Sequence, residues 1–406
     1  MTTTINNEHK KLNFSSEREQ SQACLNSAEH EKNQGRKVLN VPNLRFPEFQ
    51  GEWEEYRIED ITENISSGKC KSHSSNGEYN LYGSTGIIGK TNEACYEGNL
   101  VLVARVGANA GSLQILNEPC GITDNTLIIK PKEVDVQYIY YFLQHFNLNR
   151  LIFGSGQPLI TGGMLKKVKV SLGTIQEQNK ITRLLSILDE RIATQNKIID
   201  KLQSLIKGIN QRVFMNSGNN YKLGEICKIR SGYSGSQLLS KKGLKVSRIE
   251  TISGHKVNME RVGYVAPFES SENYRLRVGD ILFSNINSVE YIGNTAFIDK
   301  DYDLYHGMNL LRLTPNHMVV IPFYLYLLLN TNRMLNRFKT VCNKAVSQAS
   351  INQTELGKTV VQIPPINTQE QICKLYQALY TKLETASHTK SLFQKQKQYL
   401  LRQMFI

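Results

Sequence analysis

Two stretches decide the architecture: Gln157–Phe214, QPLITGGMLKKVKVSLGTIQEQNKITRLLSILDERIATQNKIIDKLQSLIKGINQRVF, and Gln348–Phe405, QASINQTELGKTVVQIPPINTQEQICKLYQALYTKLETASHTKSLFQKQKQYLLRQMF. They align without a gap at a constant offset of 191 positions. Identities include Gln157/Gln348, Ile160/Ile351, Leu165/Leu356, Val170/Val361, Ile175/Ile366, Gln178/Gln369, Ile181/Ile372, Leu188/Leu379 and Phe214/Phe405. Self-similarity of this kind means a structural unit written twice.

The C-terminal part of each stretch is helical. In the first copy, apolar or small polar residues fall at Ile181, Leu185, Leu188, Ile192, Gln195, Ile199, Leu202, Ile206, Ile209 and Val213, in steps that alternate four and three. That is a coiled-coil heptad. The second copy keeps the register with Ile372, Tyr376, Leu379, Leu383, Ala386, Lys390, Phe393, Lys397, Leu400 and Met404, and is poorer, with lysine at two seam positions. Either the helices pair with each other or each covers its own domain. If they pair, the order domain–helix–domain–helix makes them antiparallel, and about 39 residues at 1.5 Å each give a spacer near ~58 Å.

Working upstream, the repeat continues at drifting offsets. Tyr56–Ile61 matches Tyr221–Ile226, Gly98–Leu102 matches Gly279–Phe283, and Asn125–Pro131 matches Asn309–Pro315. A part that keeps its length beside a part that has gained and lost residues suggests a rigid scaffold carrying variable loops, where recognition usually sits. The expected fold is α+β, with two pseudo-repeated globular domains separated by two long antiparallel coiled-coil helices. The expected boundaries are a polar arm at 1–40, a domain at 41–175, a helix at 176–215, a second domain at 216–365 and a second helix at 366–406. Helix 1 enters the second domain through the polar loop Asn216–Asn220.

Within the domains, Leu100–Ala104, Thr126–Lys130, Asp280–Ser284 and Leu310–Leu313 read as strands, and Tyr138–Leu143 and Phe323–Leu329 as core helices. Between them lie polar, glycine-punctuated loops: Tyr82–Gly89, Arg105–Gly111, Gly154–Gln157, Ser231–Ser236, Asn285–Ser288 and Lys344–Gln348. Arg, Asn, Gln and Ser read base edges or hold phosphates, and glycine lets backbone approach a duplex. The candidate DNA-contacting residues are Ser84, Thr85, Lys90, Arg105, Asn109, Asn125 and Gln157 in the first domain. In the second they are Arg230, Ser234, Ser236, Asn285, Asn287, Ser288, Lys344 and Gln348. Any one such loop reads equally as a surface turn; the set, equivalently arranged in two domains, favours DNA.

Charge agrees. The 406 residues carry a formal net charge of +13, which calls for a polyanionic partner, nucleic acid or an acidic membrane surface. The seven cysteines are scattered and never in C-x-x-C spacing, which suits a reducing, cytoplasmic setting. The start MTTTINNEHKKLNFSSEREQ has no apolar h-region. The longest apolar run, Val319–Leu329, contains Pro322 and is too short to span a bilayer.

Catalytic signatures are poor. Gly83-Ser-Thr-Gly-Ile-Ile-Gly-Lys-Thr91 resembles a phosphate loop but has five residues, not four, before Gly-Lys-Thr, and no convincing helix follows. There is no dinucleotide fingerprint and no Asn/Asp-Pro-Pro-Tyr motif; the single Pro-Pro, Pro364-Pro365, sits between isoleucines. Glu8-His9-Lys10, the lone Glu-x-Lys, lies in the polar arm, and the eight histidines are dispersed, so neither metal nor cofactor is indicated.

Taken together, Leu44-Arg-Phe-Pro-Glu-Phe-Gln-Gly-Glu-Trp53 leading into Tyr56–Ile61, the Tyr-Gly-Ser-Thr-Gly-Ile-Ile-Gly loop and the duplicated Gln157/Gln348 loop followed by Pro-Pro-Ile-x-x-Gln-Glu-Gln and a long helix carry a resemblance. Residues 41–406 resemble the specificity subunit of Type I restriction-modification enzymes. The Pro-Pro step reads Gly173-Thr174 in the first copy, a departure that helix entry should tolerate. The resemblance implies two target recognition domains, each reading half of a split, asymmetric site on double-stranded DNA. It also implies that the helices dock two modification (methyltransferase) subunits, which bring S-adenosylmethionine and methylate adenine. Restriction subunits would join through the complex for ATP-dependent translocation and cleavage. The chain itself would be non-catalytic, with no cofactor and no membrane partner.

The helix positions expected to pair or to meet partners are Ile181, Leu184, Leu185, Leu188, Ile192, Ile199, Leu202, Ile206, Ile372, Leu375, Leu379, Leu383, Phe393 and Leu400; Leu184, Leu205 and Leu375 are the expected exposed aliphatics. Two other classes compete: an enzyme with an unrecognised site, and a coiled-coil scaffold binding DNA without sequence preference.

Overall fold

The computed structural model describes residues 39–71, 76–152, 158–214, 218–344 and 348–406. The polar arm up to residue 38, Glu8-His9-Lys10, Gln157 with the rest of its glycine loop, and the interior of the Lys344–Gln348 loop lie outside the described residues.

Two long helices run Ile175–Val213 and Ile366–Gln403. The chain divides into two compact units, residues 1–190 with 393–406, and residues 191–392. Each unit therefore holds one globular domain, the beginning of the helix that follows it, and the last stretch of the other long helix.

The first unit is built on an antiparallel sheet in the order Thr62–Ser67, Thr126–Pro131, Leu100–Ala104, Leu113–Leu116. The second repeats it with Cys227–Ser231, Leu310–Pro315, Ile281–Ser284 and Thr295–Phe297. The inner strand Leu100–Ala104 is buried along its whole length because both faces are covered. Side chains alternate across a strand: Val101 and Val103 enter the main core with Val136–Phe146 behind them, while Leu100 and Leu102 enter a smaller core with Tyr82 and Ile122. Ile281 and Phe283 do the same in the second unit against Pro322–Leu329, with Leu282 facing a separate cluster. The apolar run at Val319–Leu329 thus leads into a core helix, Pro322–Leu329.

Strand register and one glutamine's hydrogen bonds repeat at each helix start. Glu54–Arg57 pairs with Lys169–Leu172, and Asn219–Lys222 pairs with Val360–Ile363, in the same register. The Gln178 side chain donates to the Gly173 carbonyl and accepts from the Asp135 N–H. Gln369 donates to the Pro364 carbonyl and accepts from the Ile321 N–H. One glutamine in each copy ties the helix entry to the start of the core helix. Such an amide, buried and satisfied at both ends, fixes an orientation that apolar contact alone leaves free.

Helix pairing is visible inside each unit. Ile181, Leu185 and Leu188 are buried with Leu400, Leu401 and Met404, while Leu184 and Phe393 pack partly buried against the same core. In the other unit Ile206, Ile209 and Val213 pack against the core that holds Ile372 and Tyr376, and the Tyr376 hydroxyl meets the Asn210 amide oxygen. In both, the start of one helix lies against the end of the other, so the segments run antiparallel. Ile192, Ile199, Leu202 and Leu383 are half-buried and Leu379 is buried.

Each core is completed by the same residue of the repeat. Phe405 packs against Tyr138 with ring centroids 5.1 Å apart and planes tilted by 49°, and Phe214 against Tyr324 at 5.5 Å and 45°. The end of each long helix thus fills the domain of the opposite copy.

Candidate nucleic-acid interface

In the first unit the expected Tyr82–Gly89 loop is a β-hairpin, Tyr79–Gly83 with Gly86–Thr91, turning at Ser84-Thr85. Gly86 takes φ +110°, which an L side chain resists. A strand, not a helix, carries Gly-Lys-Thr, so this segment lacks the helix N-terminus with which a phosphate loop holds its nucleotide. The hairpin is pinned by Glu118, which accepts from Asn80 at 2.8 Å and from the Tyr82 hydroxyl at 2.7 Å. Those two donors hold the Glu118 carboxyl below its ordinary range, and burial together with Glu118 pushes the Tyr82 phenol up to about 12.

The Asn125 carbonyl gathers the predicted residues. It accepts the Ser84 hydroxyl at 3.0 Å and the Arg105 N–H at 2.9 Å. Thr85 is exposed beside Ser84, and Asn109 is exposed at the end of the short helix Gly107–Asn109. Lys90, also exposed, stands further up the hairpin opposite Asn80.

In the second unit Asn285–Ser288 is not a free loop. Ile286–Asn287 pairs with Ala349–Ser350, which pairs in turn with Asn343–Lys344. Asn287 and Lys344 both stand opposite Ala349, with exposed Gln348 and Ser288 adjoining. The small sheet therefore assembles Asn285, Asn287, Ser288, Lys344 and Gln348. Arg230 stands elsewhere, on the first strand of the main sheet opposite Arg312, and Ser234 and Ser236 are exposed on the segment that follows. Beside them Tyr233 stacks on Phe268, centroids 4.0 Å apart and planes 9° from parallel, a pair missed because Tyr233 lies within the polar Ser231–Ser236 loop but its partner is 35 positions away.

Arg312, absent from the sequence prediction, is an internal strut. Its guanidinium meets Asp280 at 2.7 Å and the Arg275 carbonyl at 3.0 Å.

The two sites share several backbone hydrogen bonds at equivalent positions. The Ala104 N–H donates to the Ser112 carbonyl and the Ala104 carbonyl accepts from the Gly111 N–H; the Ser284 N–H donates to the Asn294 carbonyl and the Ser284 carbonyl accepts from the Gly293 N–H. Gly111 and Gly293 share a left-handed φ of 83–87°. The Arg105 carbonyl accepts from Ile160, the Asn285 carbonyl from Ile351. Val106 bridges Leu159, while Ile286 pairs with Ser350. Arg105 and Asn285 therefore occupy one position of the repeat, as do Gly107 and Asn287.

The family model for the Type I restriction modification DNA specificity domain matches twice, over residues 50–204 and 217–392. The chain belongs to the Type I restriction-modification specificity family. Similar chains include the putative MjaX specificity subunit of Methanocaldococcus jannaschii, 39% identical over 180 residues, 44% of this chain and 42% of that one. The MjaVIII specificity subunit of the same organism is 25% identical over 88% of this chain and 92% of its own length. The fold is that of the S subunit from M. genitalium, with a TM-score of 0.64 and 17% identity over 90% of this chain and 99% of that one.

For a specificity-family chain, the remaining question is where the partner-facing residues fall. Leu205 and Leu375 are exposed on the long helices, as expected, and so are Ile187, Ile198, Leu392 and Tyr399. Leu184, expected to be exposed, is partly buried against the core of its own unit, to which the end of the second helix contributes. Among the described residues no cluster of His, Cys, Asp and Glu is arranged to hold a metal, and no helix is long and apolar enough to cross a membrane.

Proposed function

We propose that each unit reads one half of a split, asymmetric duplex site, and that the chain presents both halves to the catalytic subunits of a Type I restriction-modification complex. The observation that carries this is the shared backbone scaffold with different side chains at its equivalent half-buried positions: Arg105 against Asn285, Gly107 against Asn287. A protein binding DNA by charge alone has no need of two divergent readers on one frame.

The exposed aliphatics of the long helices are the docking surface for two modification subunits, which supply S-adenosylmethionine chemistry on adenine. Restriction subunits join through that complex, and the chain works in the cytoplasm without catalysis of its own. The helices set the gap between half-sites, as in other two-headed readers.

The test is methylome sequencing of a methylation-deficient host expressing this chain with a Type I modification subunit. Methyladenine confined to one split motif, and absent without this chain, is the expected result. A soluble complex that adds no methylation supports the non-specific scaffold instead.

A further inference from the structure

Arg105 and Asn285 share more than a position. Each sits where the backbone is held on both sides: Arg105 by its N–H to Asn125 and its carbonyl from Ile160, Asn285 by its carbonyl from Ile351 and by the strand that begins at Ile286. Each also carries a buried side-chain atom with no hydrogen-bond partner, Nε of Arg105 and Oδ1 of Asn285. Few such atoms occur among the described residues, and these two fall on the same position of the repeat. Leaving a buried polar atom unpaired is costly. Finding that cost twice, at equivalent places in two domains whose sequences otherwise differ, argues for a use rather than a packing accident.

The turn that follows each residue differs in length: Gly111 follows Arg105 by six residues, whereas Gly293 follows Asn285 by eight. The frame is thus constant and the side chains and turn vary. Both residues have a partner-seeking side chain with fork geometry, arginine offering paired donors and asparagine a donor beside an acceptor. Those two forks match different purines in the major groove: arginine pairs with guanine O6 and N7, asparagine with adenine N6 and N7.

Resting on the DNA-reading function proposed above, we infer that position 105/285 is the equivalent specificity-determining position of the two domains. Arg105 selects a guanine in one half-site, and Asn285 an adenine in the other. On binding, each side chain rotates out of its unsatisfied resting place and gains its partner from the base edge.

The test compares methylomes from the full chain, Arg105→Ala and Asn285→Ala, each co-expressed with a Type I modification subunit. Arg105→Ala is expected to relax a single guanine position in one half-site and leave the other half intact; Asn285→Ala is expected to relax an adenine position in the opposite half. Unchanged motifs in both variants overturn the inference. If a variant methylates nothing, its purified complex is titrated with duplexes carrying the native site and each single-base change. Loss of the native complex's roughly 5- to 150-fold discrimination at one purine supports the assignment. Uniformly weaker binding with discrimination retained makes the residue a phosphate contact and overturns it. A split motif from the unsubstituted chain establishes the DNA-reading function whatever the variants do, and its absence rejects that function itself.

Discussion

Lys397 Nζ lies 2.6 and 2.8 Å from the two carboxylate oxygens of Asp189, a residue 208 positions earlier in the chain. The ammonium also sits 5.0 Å from the Tyr141 ring centroid, and the Tyr141 hydroxyl donates to the same carboxylate at 2.8 Å. Burial, then the Asp189 contact, raises the Tyr141 phenol far above its ordinary range, so it stays a donor at every working pH. A lysine that looks like a flaw in a heptad seam is therefore a specific clasp between the end of the second helix and the start of the first. Such a pair fixes register, because sliding by one turn leaves the ammonium, 14% exposed, without its carboxylate.

Replacing Lys397 by alanine should destabilise the first unit by about 2 kcal/mol, the usual worth of a hydrogen bond to a charged group. A double-mutant cycle with Asp189→Ala should recover a coupling of about 1–2 kcal/mol in urea unfolding. Additive losses would mean that the two charges do not act on each other.

Phe405 and Phe214 make a second, paired prediction. Each fills the core of a domain from the far end of the other copy's helix, and deleting a buried phenylalanine ring costs about 3–5 kcal/mol. Phe405→Ala should raise amide exchange in Val136–Phe146 and spare Pro322–Leu329; Phe214→Ala should do the reverse. Equal loosening of both helices by either change would contradict the assignment of each ring to one core.

Gly173 explains a departure that the sequence alone left looking harmless. A Cβ there would fall 2.4 Å from Glu177 Oε2 and 2.7 Å from Trp53 Nε1. That carboxylate has no room to retreat, since it accepts from Arg45 at 2.7 and 2.9 Å and from Trp53 at 3.1 Å, and is 1% exposed. In the second copy Pro364 stands at this position and Thr368 replaces the glutamate. The glycine and the buried ion pair belong together. Gly173→Pro should therefore destabilise by more than ~3 kcal/mol through an unpaired buried charge, and Glu177→Thr in the same chain should recover part of the loss. A fully stable Gly173→Pro single variant, by thermal melting, would show that the carboxylate yields.

What the sequence disclosed follows from what repeats. The heptads, the inner strands and the core helices were legible because their apolar spacing is periodic and occurs twice. The Ser84-Thr85 hairpin and the Asn285–Ser288 strand were not: the hairpin is rich in glycine and polar residues, and the two-residue strand at Ile286–Asn287 pairs with Ala349–Ser350 far along the chain, so neither leaves a clear local period and both read as polar loops. Leu184 misled for a related reason: the core it packs against includes Leu400 and Leu401, more than 200 positions away. Arg105 and Asn285 were both legible as candidates, yet their equivalence was not, because the offset drifts between the copies until the hydrogen bonds to Ile160 and Ile351 restore it.

His306 supplies a prediction in pH. The ring is 1% exposed, and its Nε2 lies 2.9 Å from the Leu310 carbonyl, which only accepts, so Nε2 carries the proton of the neutral imidazole. Burial is the main reason its pKa falls to about 4; Arg312 lowers it further, while the Leu310 hydrogen bond and Asp280 oppose. The unfolded chain's histidine titrates near ~6.5, so on acidification the unfolded state takes up the proton first. The contribution is complete above that pH, declines as pH falls toward about 4 and levels off below it, with a total loss of roughly 3 kcal/mol. His306→Gln keeps a donor for Leu310 and has nothing to titrate. Urea midpoints of the two proteins from pH 7.5 to 4.5 should therefore converge or cross as the pH drops. A stability difference that stays constant across that range would show that His306 binds its proton equally in both states.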